Sequence, residues 1–134
     1  MGTIDEVCKR IVADTDGALA CAVVDLRSGI LLGIFNAAGY PSQLNDVVAA
    51  ATLDLFRGPS IRRVAQMVQR QRGESAGEAG WLEEVQLTSR NNHHFAKCSS
   101  SGAAVVVLVT RRSTSAGLGW ARMRTALAAL EPMI

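Results

Sequence analysis

Apolar residues along the first third of the chain switch from a helical to a strand period. Ile4, Val7, Cys8 and Ile11 recur at i, i+3, i+4 and i+7 behind Thr3-Ile4-Asp5-Glu6. That is an amphipathic helix opened by a capping box, in which Thr3 accepts from an amide ahead and Glu6 reaches back. The helix is expected to stop between Asp14 and Gly17. The block GALACAVVDLRSGILLG, Gly17 to Gly33, follows. Ala18 to Leu26 is almost wholly apolar, as in a strand covered on both faces. Asp25 to Gly29 reads as the turn, with Gly29 free to take positive φ, and Ile30 to Phe35 returns as a second strand.

Asn36 to Pro41 is rich in turn formers. Ser42 is placed to cap a helix whose buried stripe is Leu44, Val47, Val48, Ala51 and Leu55. Gly58-Pro59 interrupts it, and Pro59 suits the first turn of a new helix. Ile61, Val64, Ala65 and Val68 restart the stripe, so Ser42 to about Gln71 reads as a kinked helix or two consecutive ones. Gly73 to Gly80 is a loop. From Trp81 the period becomes two through Thr88, with neither face uniformly apolar, which suits an edge strand inviting a partner. His93 to Cys98 and Ala103 to Thr110 are the fourth and fifth strands. The last helix is capped within Ser113-Thr114-Ser115, docks through Leu118, Trp120, Met123, Leu127 and Leu130, and ends at Pro132.

This order predicts an α+β fold, a single domain over residues 1–134. One five-stranded antiparallel sheet would carry the first and last helices on one face and the middle helix on the other. Composition sharpens the picture. Hydrophobic residues make up 49% of the chain and aromatics only 4%, so Ala, Val, Leu and Ile must build the core. Charged residues, at 19%, are few enough to suggest surface hidden in an oligomer. The net charge of +2 is too small to argue for nucleic acid. Five arginines and no acid lie between Arg57 and Arg72, and four acids and no base between Glu74 and Glu84. Arg62, Arg63, Arg70 and Arg72 are candidate contacts to an acidic partner, although a solvated helix face explains them as well.

Candidate chemistry is sparse. Cys8, Cys21 and Cys98 form no CxxC and read as small buried residues. His93 and His94 are adjacent on a strand, so they point to opposite faces and are poorly placed to chelate one metal. No phosphate-loop, dinucleotide-binding or nucleophile-elbow motif occurs. No catalytic residue, metal site or cofactor is expected, and the chain is not expected to be an enzyme. It has no basic leader and no apolar run long enough to span a membrane, which points to the cytoplasm without membrane insertion.

The opening helix, Gly17-Ala18-Leu19-Ala20, Val23-Val24-Asp25 leading to Gly29, the stripe Val48-Ala49-Ala50-Ala51, the Ala103 to Thr110 strand and the final helix after Gly119 together resemble the roadblock family, also called the dynein light-chain roadblock type. The resemblance covers nearly the whole chain. It implies a profilin-like α/β/α sandwich. It also implies a homodimer formed by edge pairing of the third strand and packing of the middle helices. Here that role falls to Val48, Ala51, Leu55, Trp81, Glu83, Val85 and Leu87. Partners in the family are small Ras-like GTPases, which its members regulate or scaffold without shared catalytic residues. The Gly58-Pro59 break and the Gly73 to Gly80 loop depart from the family pattern beside this surface. The alternative is a small-ligand sensor of PAS- or GAF-like architecture, which would need an internal cavity between sheet and helix.

Overall fold

The computed structural model describes residues 2–37, 39, 41, 43–74 and 82–134. Helix α1 spans Ile4–Asp14, and Oγ1 of its N-cap Thr3 accepts from the Glu6 amide at 3.3 Å. Strands β1 (Ala18–Asp25) and β2 (Leu31–Asn36) form the expected hairpin. In its turn Asp25 Oδ1 accepts from the Arg27 amide at 2.9 Å, and Gly29 takes a φ of +74°. A side chain at Gly29 would be strained in that left-handed conformation.

The middle segment is two helices, α2 (Gln43–Arg57) and α3 (Pro59–Gln71). The residue before a proline is driven out of the helical region, and Gly58 is extended accordingly, at φ −65° and ψ 162°. Strands β3 (Glu84–Thr88), β4 (Asn92–Cys98) and β5 (Ala104–Arg111) follow. Helix α4 (Ala116–Leu130) is capped by Ser115, whose Oγ accepts from the Leu118 amide, and Leu118, expected among the docking residues, is exposed in its first turn. A short 3-10 turn, Glu131–Met133, closes the chain around Pro132. The third strand is shorter than its alternation suggests, beginning at Glu84 and not at Trp81. Trp81 and the proposed cap Ser42 lie outside the described residues.

The strands make one antiparallel sheet in the order β2-β1-β5-β4-β3. β5 is central, its first five residues all buried. On one face α1 and α4 enclose a core of Val7, Cys8, Cys21, Phe95, Leu108, Met123 and Leu130. On the other, α2 lays Phe56, Leu53 and Leu55 over Ala22, Ala96, Val105 and Val107. Its buried residues are Ala49, Thr52 and Phe56, and not the stripe expected from the sequence, of which Leu44, Val47 and Ala51 are exposed and Val48 and Leu55 half-buried. This is the expected α/β/α sandwich. Cys8 and Cys21 are fully buried free thiols, and the hydrogen bond from Cys8, together with burial, pushes the Cys21 thiol far up. Cys98, expected to be buried, is half-buried and also free, and that partial burial raises its thiol above the ordinary value.

Candidate self-association and docking surfaces

The sheet face beneath α2 is not fully covered. Toward β3 an apolar groove of about 210 Å³ remains between helix and sheet, lined by Val48, Ala51, Thr52, Leu55, Val85, Leu87, His94, Ala96 and Val107. Five of the seven residues assigned to self-association therefore converge in one place: Val48, Ala51 and Leu55 from α2, Val85 and Leu87 from β3. Glu83 is exposed just before the strand and contributes its carbonyl to the Cys98 amide. Trp81 lies outside the described residues. The apolar surface continues over the outer side of α2 to Leu44 and Val47, the latter 63% exposed.

The groove runs beside a sheet edge, since β3 pairs only with β4 among the described strands. Backbone bonds from Cys98 N to Glu83 O and from Ser89 N to Asn92 O, both 2.9 Å, fix the ladder's phase. Hydrogen-bonded and non-bonded pairs alternate. The amides of Val85 and Leu87 therefore point into the sheet, and those of Glu84, Gln86 and Thr88 point away from it. Side chains secure the strand: Lys97 Nζ pairs with Glu84 Oε2 at 2.9 Å, and Trp120 Nε1 donates to Gln86 Oε1 at 3.0 Å. Trp120 is half-buried, meeting Phe95 edge to face at 5.2 Å.

The two histidines are split between faces, as strand alternation requires. His93 turns toward Phe95 on the α4 side, and His94 enters the groove, its Nε2 3.3 Å from Ser89 Oγ. Burial, aided by the charge of His93, holds His94 below the ordinary histidine value of 6.5. The neutral ring thus contributes stability that is complete above pH 6.5 and is lost as the pH falls toward the lowered folded value. Replacing His94 with Gln is expected to flatten the acid side of the urea midpoint plotted against pH. An unchanged slope between pH 6.5 and about 5 would show that the ring's protonation carries no penalty.

The arginine stripe divides. Arg57 turns inward, Nη2 donating to Gly102 O at 2.7 Å. Arg62, Arg63, Arg70 and Arg72 are exposed, and Arg72 pairs at 3.3 Å with Glu74. At 100° per residue Arg63, Met67 and Arg70 share the outward crest of α3. Met67 is 60% exposed there, and Val64, which the sequence places in the buried stripe of α3, is 46% exposed; Ala65 is the member of that stripe that is buried.

A second concavity, a polar surface depression of about 700 Å³ lined by Asp16, Gly17, Arg111, Ser113, Thr114 and Ser115, lies where α4 begins. Ala18 at the start of β1 and Leu118 in α4 complete its lining, where the ends of β1 and β5 meet the first turn of the helix. Thr114 Oγ1, buried there, already donates to Asp16 O at 3.1 Å. Among the described residues no three His, Cys, Asp or Glu side chains converge as a metal site, and no helix is long and apolar enough to cross a membrane.

No protein-family model matches the sequence, and comparison with curated proteins finds no match. Solved structures do match the fold. Against MglB of Myxococcus xanthus the TM-score is 0.69 at 18% identity, covering 97% of this chain and 93% of that one. A Roadblock/LC7 domain from Streptomyces avermitilis gives 0.71 at 16% identity, with 98% of both chains covered. A structure described as MglB with tetrameric arrangement gives 0.69 at 21% identity, covering 98% and 90%. The chain has the roadblock fold.

Proposed function

We propose that the protein is a single-domain, non-catalytic homodimer of the cytoplasm that binds a small Ras-like GTPase and regulates or scaffolds it. The observation that carries the self-association half is the apolar groove running to a strand edge that is unpaired among the described residues. A second copy placing its β3 against β3 would pair the outward amides of Glu84, Gln86 and Thr88. The same approach would bring Val48, Ala51, Leu55 and Leu87 of both copies under cover. Burial of apolar surface then supplies the affinity, and the ladder supplies the register. The tetrameric arrangement described for one MglB of the same fold supports self-association as a habit of this architecture.

The GTPase as partner comes from the resemblance to the roadblock family, whose fold this chain shares with MglB and Roadblock/LC7 structures. The crest of α3 supports a protein partner with an acidic rim, because Met67 offers an apolar anchor flanked by the charges of Arg63 and Arg70. Arg62 and Arg72 extend the same positive field. Such a surface speeds encounter and sets orientation, and nothing in the proposal requires chemistry from this chain.

The test is capture of partners on the tagged protein with excess GDP or with a non-hydrolysable GTP analogue, alongside light scattering of the purified chain. A small GTPase enriched in one nucleotide state supports the reading and gives its direction. A dimer that captures no GTPase in either state removes the GTPase half. Replacing Arg63 and Arg70 together with Glu is expected to weaken capture about ten-fold, more at low salt, without altering the circular dichroism spectrum. Unchanged capture would take α3 out of the contact.

A further inference from the structure

The sheet has a second edge, and it is treated differently from the first. Along β2 the bond from Ala37 N to Leu19 O sets the phase of the ladder with β1. By alternation through Cys21↔Phe35, the backbone groups of Ile34 and Asn36 face outward. The Ile34 amide has a partner from elsewhere: Asp5 Oδ1, in the first turn of α1, accepts from it at 2.8 Å across 29 positions of sequence. The geometry that brings Asp5 there depends on Gly33. This glycine is buried against Ile4, and any Cβ on it would collide with the Ile4 side chain. Ile4 thus rests on the strand while Asp5 reaches over its rim.

We propose that Asp5 closes the β2 edge to strand addition and so confines self-association to the β3 edge. An incoming strand at β2 must displace a carboxylate from the amide it needs, and it meets a negative charge in the plane of the sheet. Inward charges and covering helices are how proteins blunt edges that would otherwise template assembly. This edge needs blunting, because Ile30 is 61% and Leu32 40% exposed beside it. The β3 edge has no such cover among the described residues.

The consequence for size rests on the dimer reading above. Pairing through β3 leaves one β2 edge at each outer end of the combined sheet. If those edges opened, dimers would join end to end through second copies of β2, and the assembly would have no closing symmetry.

Asp5→Ala and Asp5→Asn test this together. Both remove the charge at the start of α1, but the asparagine carbonyl can still accept from Ile34. With Ala, the mass from light scattering is expected to rise above that of the unaltered protein and to grow with concentration. The Ile34 amide should exchange with solvent about ten-fold faster or more. With Asn, both readings should stay near those of the unaltered protein. An Asp5→Ala protein of unchanged mass overturns the inference, and an Asp5→Asn protein that assembles like Asp5→Ala overturns the hydrogen bond as its cause. If the unaltered protein is a monomer and Asp5→Ala a dimer, the closed edge stands and the β3 dimer falls. Exchange in the unaltered protein reads the bond without any variant: an Ile34 amide as labile as an open edge amide overturns it.

Discussion

Gly119→Val is expected to cost about 3 kcal/mol of folding stability, the upper part of the range for overpacking a filled core. Gly119 is buried near the start of α4, and a Cβ built there meets three carbons of the Phe95 ring. The ring cannot retreat. Phe95 is fully buried, with Trp120 edge to face at 5.2 Å and His93 tilted against it at 5.9 Å. Helix α4 must lift instead, drawing Trp120 away from Gln86 and loosening β3. In urea unfolding the midpoint should fall sharply, and the melting temperature by roughly 10 °C. Gly117→Ala is the matched control. It sits two residues earlier with no atom within 4 Å of its would-be Cβ, so only helix propensity acts. That change should stabilise by up to ~1 kcal/mol. Two substitutions of the same residue type on one helix should therefore move stability in opposite directions. Equal effects would mean that α4 does not rest on Phe95 as described.

Gln86→Pro is expected to turn the proposed dimer into a monomer. The Gln86 amide points away from β4, so proline removes no bond of the β3–β4 ladder and places its ring where a second strand would lie. Each copy loses a bond at a twofold interface. At about 1–1.5 kcal/mol per bond, the dissociation constant should rise on the order of 100-fold. Val85→Pro is a blunter instrument, because the Val85 amide faces β4 and its loss would unravel β3 itself. Gln86→Ala separates the backbone effect from the side chain. It gives up the bond from Trp120 but keeps the amide, and should remain dimeric. Sedimentation of the three proteins over a concentration series decides the matter. A Gln86→Pro protein that still dimerises would place the interface elsewhere than the β3 edge.

Much of this molecule is local and was therefore legible. The helical stripe of Ile4, Val7, Cys8 and Ile11, the caps at Thr3 and Ser115, the positive φ of Gly29 and the break before Pro59 each depend on residues within a few positions of one another. The element order follows from them, and with it the sandwich. Some of the surface was legible too: the alternation after Trp81 marked an edge strand, and the acid-free stretch of arginines marked α3. The limits of the third strand were less so. Alternation counts side chains, whereas a strand lasts only as long as its partner's backbone, and β3 answers to β4 from Glu84 onward.

What only the tertiary structure decided depends on residues far apart in sequence. β1 pairs with β5, some 85 residues on, because antiparallel order 2-1-5-4-3 lets α1 and α4 share one face and leaves α2 the other. Nothing local distinguishes Arg57 from the arginines after it, yet it alone turns in to Gly102. Nor does composition show that Gly119 is a seat for Phe95, or that Asp5 answers the amide of Ile34. These are long-range contacts, whose partners are chosen by how the layers stack. Hydrophobic period, capping and turn chemistry act over a few residues, so the sequence by itself determined which elements form and which face of α1 is buried, but not the face of α2, where Ala49, Thr52 and Phe56 go under while Leu44, Val47 and Ala51 of the expected stripe stay exposed. The sheet order, the groove left under α2, and the difference between the two edges, β2 with Asp5 on its Ile34 amide and β3 without such a partner among the described residues, came into being only when those faces met.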